Sequence, residues 1–145
     1  MNLRLSSETV HASCVATDGK AVLISGPSGS GKSDLALRLI DRGFTLVSDD
    51  QTLLRKSGER LLATAPATIA GKLEIRGIGI VDMPTVSDVP LALVVELTSE
   101  IQRLPDDSRE RIVLGLSLPL ISVDAMTASA PSKVALALDR FGLKS

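Results

Sequence analysis

The chain has 145 residues, with 16 basic side chains against 17 acidic and a formal net charge of −1. That length suits one domain able to bury a core, and the near-balance of charge offers no basic face for nucleic acid or an anionic membrane. The only aromatics are Phe44 and Phe141, so a base-stacking platform for single strands is excluded too. Cys14 is the one cysteine, which rules out an internal disulfide framework and fits a reducing cytoplasm. Residues 1–7 hold no apolar signal core, and no run approaches the ~20 apolar residues of a membrane span. The longest run, Ile112 to Ile121, is interrupted by Gly115, Ser117 and Pro119. The expectation is a single soluble cytoplasmic domain over residues 1–145.

In chain order, Thr9 to Ala16 reads as a strand, and Asp18-Gly19 is a strong two-residue hairpin signal before a second strand, Lys20 to Ser25. A two-residue turn fixes the register, pairing Thr17 with Lys20 and Val15 with Val22. Continued to its end, that register sets His11 opposite Gly26. A lone histidine at a strand end is by default a surface residue, but this placement makes it an active-site candidate.

Gly26-Pro27-Ser28-Gly29-Ser30-Gly31-Lys32-Ser33 fills every fixed position of the G-x-x-x-x-G-K-[ST] phosphate loop, between a strand and a helix as that motif requires. The glycines let successive backbone N–H groups turn inward towards phosphate oxygens, and the helix dipole adds positive potential. Lys32 is expected to reach the β- and γ-phosphates of a nucleoside triphosphate, and the Ser33 hydroxyl to complete the shell of a Mg²⁺ ion. Leu35, Ala36, Leu39 and Ile40 are spaced as a helix over Lys32 to Arg42, stopped by Gly43.

Phe44 to Ser48 is then a strand ending at Asp49-Asp50. A right-handed strand–helix–strand crossover brings the ends of both strands to one side. The two aspartates should therefore arrive beside the γ-phosphate, one of them facing it because adjacent strand residues point to opposite faces. The competing reading is a solvated acidic turn. Gln51 to Ala65 reads as a second hairpin with Ser57-Gly58 at its tip and Lys56 facing Glu59. Pro66 to Lys72 is a short irregular or helical piece. In Leu73 to Asp82, Gly77 and Gly79 within a strand-like run mark a bulge or a close backbone approach. If that stretch is extended, Glu74 and Arg76 share a side. One of them then coordinates metal while the other neutralises phosphate, unless the two form a surface ion pair. Pro90 to Leu97 is a buried strand, Glu100 to Arg111 a charged solvated segment, Leu118 to Val123 a strand, and Ser132 to Phe141 a closing helix with Pro131 near its start. Hairpins around one parallel unit predict a mixed sheet.

Three blocks in order and spacing give the chain a family likeness: Val10-His11-Ala12, the phosphate loop running on to Asp49-Asp50, and Leu73-Glu74-Ile75-Arg76-Gly77-Ile78-Gly79-Ile80-Val81-Asp82. Over residues 8–140 the sequence resembles the catalytic domain of HPr kinase/phosphorylase. The resemblance implies an α/β phosphate-loop domain with a mixed sheet, similar to the nucleotide-binding part of phosphoenolpyruvate carboxykinase. It implies ATP- and Mg²⁺-dependent phosphorylation of a serine on an HPr-type phosphocarrier of the phosphotransferase system, with phosphorolysis as a second activity. By resemblance, His11 and Lys32 are active-site phosphate ligands, Ser33 and Glu74 are Mg²⁺ ligands, and Asp50 is the proton acceptor. Arg103 stands for the family's later active-site arginine, and a homo-oligomer, a hexamer, is implied. The chain departs from the family in beginning ten residues before His11, as a short catalytic-domain form. It also has no arginine in Asp124 to Ser129, where an arginine-rich motif associated with dephosphorylation belongs. Two other readings stand beside this one: a phosphate-loop small-molecule kinase and a nucleotide-sensing regulatory module. A GTPase does not, because Asn2 is the only asparagine.

Overall fold

The computed structural model describes residues 6–101 and 109–144. In chain order its elements are β1 (Ser7–Val10), β2 (Ala12–Thr17), β3 (Lys20–Ser25), α1 (Lys32–Asp41), β4 (Thr45–Ser48), β5 (Thr52–Ser57) and β6 (Arg60–Thr64). They continue with β7 (Lys72–Ile75), β8 (Gly79–Asp82), β9 (Val89–Leu97), β10 (Glu110–Val113), β11 (Leu116–Val123) and α2 (Ala130–Phe141). Arg103 lies outside the described residues. Among the described residues no helix is long and apolar enough to cross a membrane.

The large sheet is mixed, with strand order β1-β5-β6-β9-β3-β2-β4 and β11 joining β9. The first hairpin keeps the expected register from Thr17 opposite Lys20 to Ala12 opposite Ser25. Its β2 also pairs antiparallel with β4. β4 therefore runs parallel to β3 with β2 between them, and the phosphate loop and Asp49 both leave the same end of the sheet. The central strand β9 runs parallel to β3 on one edge. Its other edge is shared: Val89 and Pro90 pair with β6, and Val94 to Leu97 pair with β11. One strand edge serving two partners forks the sheet and lets it curl.

Alternation along β3 divides the core. Val22 and Ile24 face α1 and α2 in one cluster with Leu35, Leu39, Val134 and Leu138. Ala21 and Leu23 face the opposite layer with Leu54, Leu61, Val94 and Leu118. A helix layer thus covers one face, and the strands β5, β6 and β10 fold over the other.

Three sequence expectations are corrected. The second hairpin turns at Gly58-Glu59, with Ser57 opposite Arg60 and Lys56 opposite Leu61. Gly58, at φ +61, takes the first central position, which a two-residue turn of this hand reserves for glycine. The stretch 73–82, whose glycines were expected to mark a bulge or a close backbone approach, belongs to a separate hairpin, β7–β8. Its turn runs over residues 76–78 with Gly77 at φ +87, and Gly79, at φ +115, opens β8 opposite Ile75. Glu110 and Arg111, expected at the end of a solvated segment, open β10 instead, which pairs with β11 around Leu114-Gly115.

Candidate active site

The phosphate loop joins β3 to α1. Gly31, at φ +100, caps the helix and its carbonyl accepts the Leu35 N–H at 2.9 Å. A side chain at Gly26 would not fit, because a Cβ there would lie 2.7 Å from Ser30 Oγ and 3.1 Å from Leu97 Cβ. Lys32 is 6% exposed, and its ammonium donates to the carbonyls of Gly26 at 2.9 Å and Pro27 at 3.2 Å. The ammonium thus sits within the turn of the loop against two neutral carbonyls, with no carboxylate in ion-pair contact among the described residues.

The loop opens on a cavity of about 610 Å³. Lys32 and Ser33 line one side, Asp49 and Asp50 another, and Glu74 and Arg76 of the β7–β8 hairpin a third, with Met126 also on the wall. Gly26, Pro27 and Ser30 shape the loop from behind and do not line the cavity.

The two aspartates divide their work. Asp49 is 8% exposed and accepts three hydrogen bonds: from Ser33 Oγ at 2.6 Å and Ser13 Oγ at 3.0 Å on one oxygen, and from the Glu74 N–H at 3.0 Å on the other. It ties strand β2, the loop and the β7–β8 hairpin together. Asp50 points to solvent, its side chain 58% exposed, with Oδ1 at 2.7 Å from His11 Nε2. A carboxylate only accepts, so Nε2 carries the proton in that contact. The Gln51 N–H donates to the Asp49 carbonyl at 2.7 Å across Asp50, whose φ is +64. This is a γ-turn of the rarer, strained hand, and it swings the second carboxylate away from the first.

The expected pairing of His11 with Gly26 is not made. The β2–β3 ladder ends at Ala12 and Ser25, and the chain bends at His11 before β1 departs to pair with β5. His11 therefore meets the cavity through Asp50. Glu74 and Arg76 both reach the cavity wall, although Arg76 stands in the turn of the hairpin rather than on an extended strand. Two residues escaped the sequence reading as site members: Asp49 as the partner of Ser33, and Ser13 behind it. Asp49 had a signal, since one aspartate of the pair was expected to face the loop. Ser13 had none, being a serine within a strand.

The donor set suits Mg²⁺. Ser33, Asp49 and Glu74 offer hard oxygen ligands at one cavity. Among the described residues no group of three histidine, cysteine or acidic side chains forms a metal site of its own, and Mg²⁺ is characteristically held by one or two carboxylates with phosphates and water.

Beside Gly31 lies the late segment that lacks arginine. A Cβ at Gly31 would approach Ala125 Cβ at 3.3 Å and Met126 Cε at 3.6 Å. Arg38 of α1 fixes this segment by donating to the carbonyls of Ala125 and Thr127.

Comparison with known proteins identifies relatives of this fold. The model of the HPr serine kinase C-terminal domain family matches residues 4–137. HPr kinase/phosphorylase of Chlorobium phaeovibrioides is 39% identical over 127 residues, covering 78% of this chain and 38% of that protein. Its counterpart in Caldanaerobacter subterraneus is 41% identical over 103 residues, covering 68% and 34%. The chain thus spans well under half the length of these relatives. The solved HPr(Ser) kinase/phosphatase of Coxiella burnetii superposes with a TM-score of 0.80 at 32% identity, over 92% of this chain and 89% of that one.

Proposed function

The chain belongs to the HPr serine kinase C-terminal domain family, and on that premise we propose that it transfers the γ-phosphoryl group of ATP to a serine of an HPr-type phosphocarrier protein in the cytoplasm. The observation that carries this reading is the split of the aspartate pair. Asp49 is committed to Ser33 and the loop, while the Asp50 side chain is exposed at the same cavity and, among the described residues, bonds only to His11. A buried Lys32, with no carboxylate partner among the described residues, gives the cavity its phosphate-binding end.

In this reading residues 1–145 act as one catalytic domain. The loop N–H groups and Lys32 hold the β- and γ-phosphates, with Ser33 and Glu74 as ligands of Mg²⁺ and Asp49 orienting Ser33. Bound there, Mg²⁺ would offset negative charge on the phosphate oxygens. The partner's serine hydroxyl enters beside Asp50. Its Oγ–P bond forms as the bond from the γ-phosphorus to the bridging oxygen breaks, Asp50 accepts the serine proton, and ADP leaves. His11 holds Asp50 in place and adds a donor near the transferred group. Phosphorolysis would run through the same residues, with Asp50 returning the proton to the serine and inorganic phosphate leaving as pyrophosphate. A homo-oligomer, a hexamer by family, completes the proposal.

The test is incubation with γ-labelled ATP, Mg²⁺ and an HPr-type protein, followed by mass spectrometry of the partner. Label on a serine, absent with Lys32→Ala and strongly reduced with Asp50→Asn, is the expected result. Full transfer by Asp50→Asn removes that residue from the role of base. Binding of ATP without transfer identifies a nucleotide sensor, and inorganic phosphate added to the same sample measures the reverse reaction.

A further inference from the structure

We propose that Ser13 is a positioning residue for phosphoryl transfer, its hydroxyl holding Asp49 and Asp50 in their two different orientations. The proposal rests on the kinase reading above. Ser13 lies in β2 opposite Ile24 and is fully buried, in a strand whose other residues from Ala12 to Ala16 are all apolar. Alanine or valine would fill this place in the sheet with no polar group to satisfy, so packing gives no reason for a hydroxyl here.

Its contacts give the reason. Ser13 Oγ is 3.0 Å from Asp49 Oδ1 and 3.1 Å from the Asp50 backbone nitrogen. The carboxylate can only accept and the amide can only donate, so the one hydroxyl proton goes to Asp49 and a lone pair receives the Asp50 N–H. With Ser33 donating to the same Asp49 oxygen, an unbroken hydrogen-bonded path runs from the phosphate loop to the backbone of the proposed base. Asp50 needs that anchor because its γ-turn is unfavourable for a residue with a side chain. Ser48 Oγ, donating to the Gln51 carbonyl, and Thr52 Oγ1, donating to the Ala12 carbonyl at 2.8 Å, brace the flanks of the turn. Among the described residues Ser13 alone bonds to both aspartates.

Native-state amide exchange on the unmodified chain is the first measurement. The Asp50 N–H should be protected although its side chain is exposed, and an Asp50 amide exchanging at the rate of a free peptide overturns the proposal. In Ser13→Ala, kcat for the seryl protein should fall about tenfold or more with the KM for ATP within about threefold, as expected when a catalytic group is displaced rather than a binding group lost. The Asp50 and Gln51 amides should lose protection while those of β3 and β9 keep theirs. Ser13→Thr, which retains the hydroxyl, should restore most of the rate. Parental kcat together with unchanged Asp50 protection in Ser13→Ala refutes the proposal, as does a uniform loss of protection across the sheet, which marks a merely structural serine. If the unmodified chain transfers no phosphate, the kinase reading fails, while exchange at Asp50 in Ser13→Ala still decides whether Ser13 holds the turn.

Discussion

Asp49→Asn tests the claim that one carboxylate fastens three parts of the site. The native side chain accepts from two hydroxyls on Oδ1 and from the Glu74 amide on Oδ2. An asparagine has a single acceptor oxygen. Turned to the hydroxyls, it faces the Glu74 N–H with its own NH₂; turned to Glu74, it strands the hydroxyl protons of Ser13 and Ser33. Either way at least one bond to a charged acceptor is lost, about 1.5–3 kcal/mol, set against the relief of no longer burying a charge. We expect a net destabilisation of about 2 kcal/mol. With an unfolding entropy of about 0.3 kcal/mol/K for 145 residues, that lowers Tm by about 7 °C. Calorimetry reads the shift, and amide exchange should show the Glu74 N–H freed together with its hairpin. A variant melting within about 1 °C of the parent, with Glu74 still protected, would refute the reasoning.

Lys32→Ala should lower MgATP affinity at least about tenfold in titration calorimetry, with an unchanged far-UV spectrum, because the buried cation is removed while the carbonyls it contacts can take water. Burial pushes the Cys14 thiol far above its ordinary range. The folded chain therefore holds that proton more tightly than the unfolded one. Stability should be fully present below pH about 8.5 and fall above it by up to about 1.4 kcal/mol per pH unit. Urea unfolding at pH 7 and pH 10 should show this slope, and Cys14→Ala should remove it. The Lys72 ammonium, 2.7 Å from Asp82 across the β7–β8 pair, holds the Asp82 carboxyl below the usual carboxylate range. The pair's contribution is thus present above that range and lost as pH falls through the lowered value. Carbonyl NMR should find Asp82 titrating low, moving back upward in high salt because the pair is exposed.

The parts of this molecule legible in the sequence are those fixed by local rules. The phosphate loop is a contiguous motif, and Asp18-Gly19 set a register that carried as far as Ser25 and placed His11 at the site. The β5–β6 register missed because Ser57-Gly58 and Gly58-Glu59 both read as turns, and only the handedness of the turn, which puts glycine first, separates them. Strand β10 was hidden because Val113 alone of its four residues is buried, too short an alternation to stand out beside Glu110 and Arg111. The separate tasks of Asp49 and Asp50 depend on a γ-turn and on Ser13, which lies 36 residues before Asp49 in the chain, and no spacing rule spans that gap. The resemblance to a known family suggested the role proposed for Asp50 but did not point to Ser13.

The shared edge of β9 also bears on how the chain assembles. The phosphate loop is encoded in residues 26–33, yet β3, which presents it, has β9 as its parallel neighbour some 70 positions later, with Ser25 beside Glu96. During synthesis the nucleotide-binding motif leaves the ribosome long before the strand that completes its support. Non-local parallel pairing of this kind forms slowly, since a long loop must close before any contact rewards it. Once formed, β9 draws in both halves of the chain, the earlier strands through β3 and β6 and the later ones through β11. Nucleotide-binding competence should therefore appear late and in one step, when residues 89–97 are seated, rather than grow as the loop emerges.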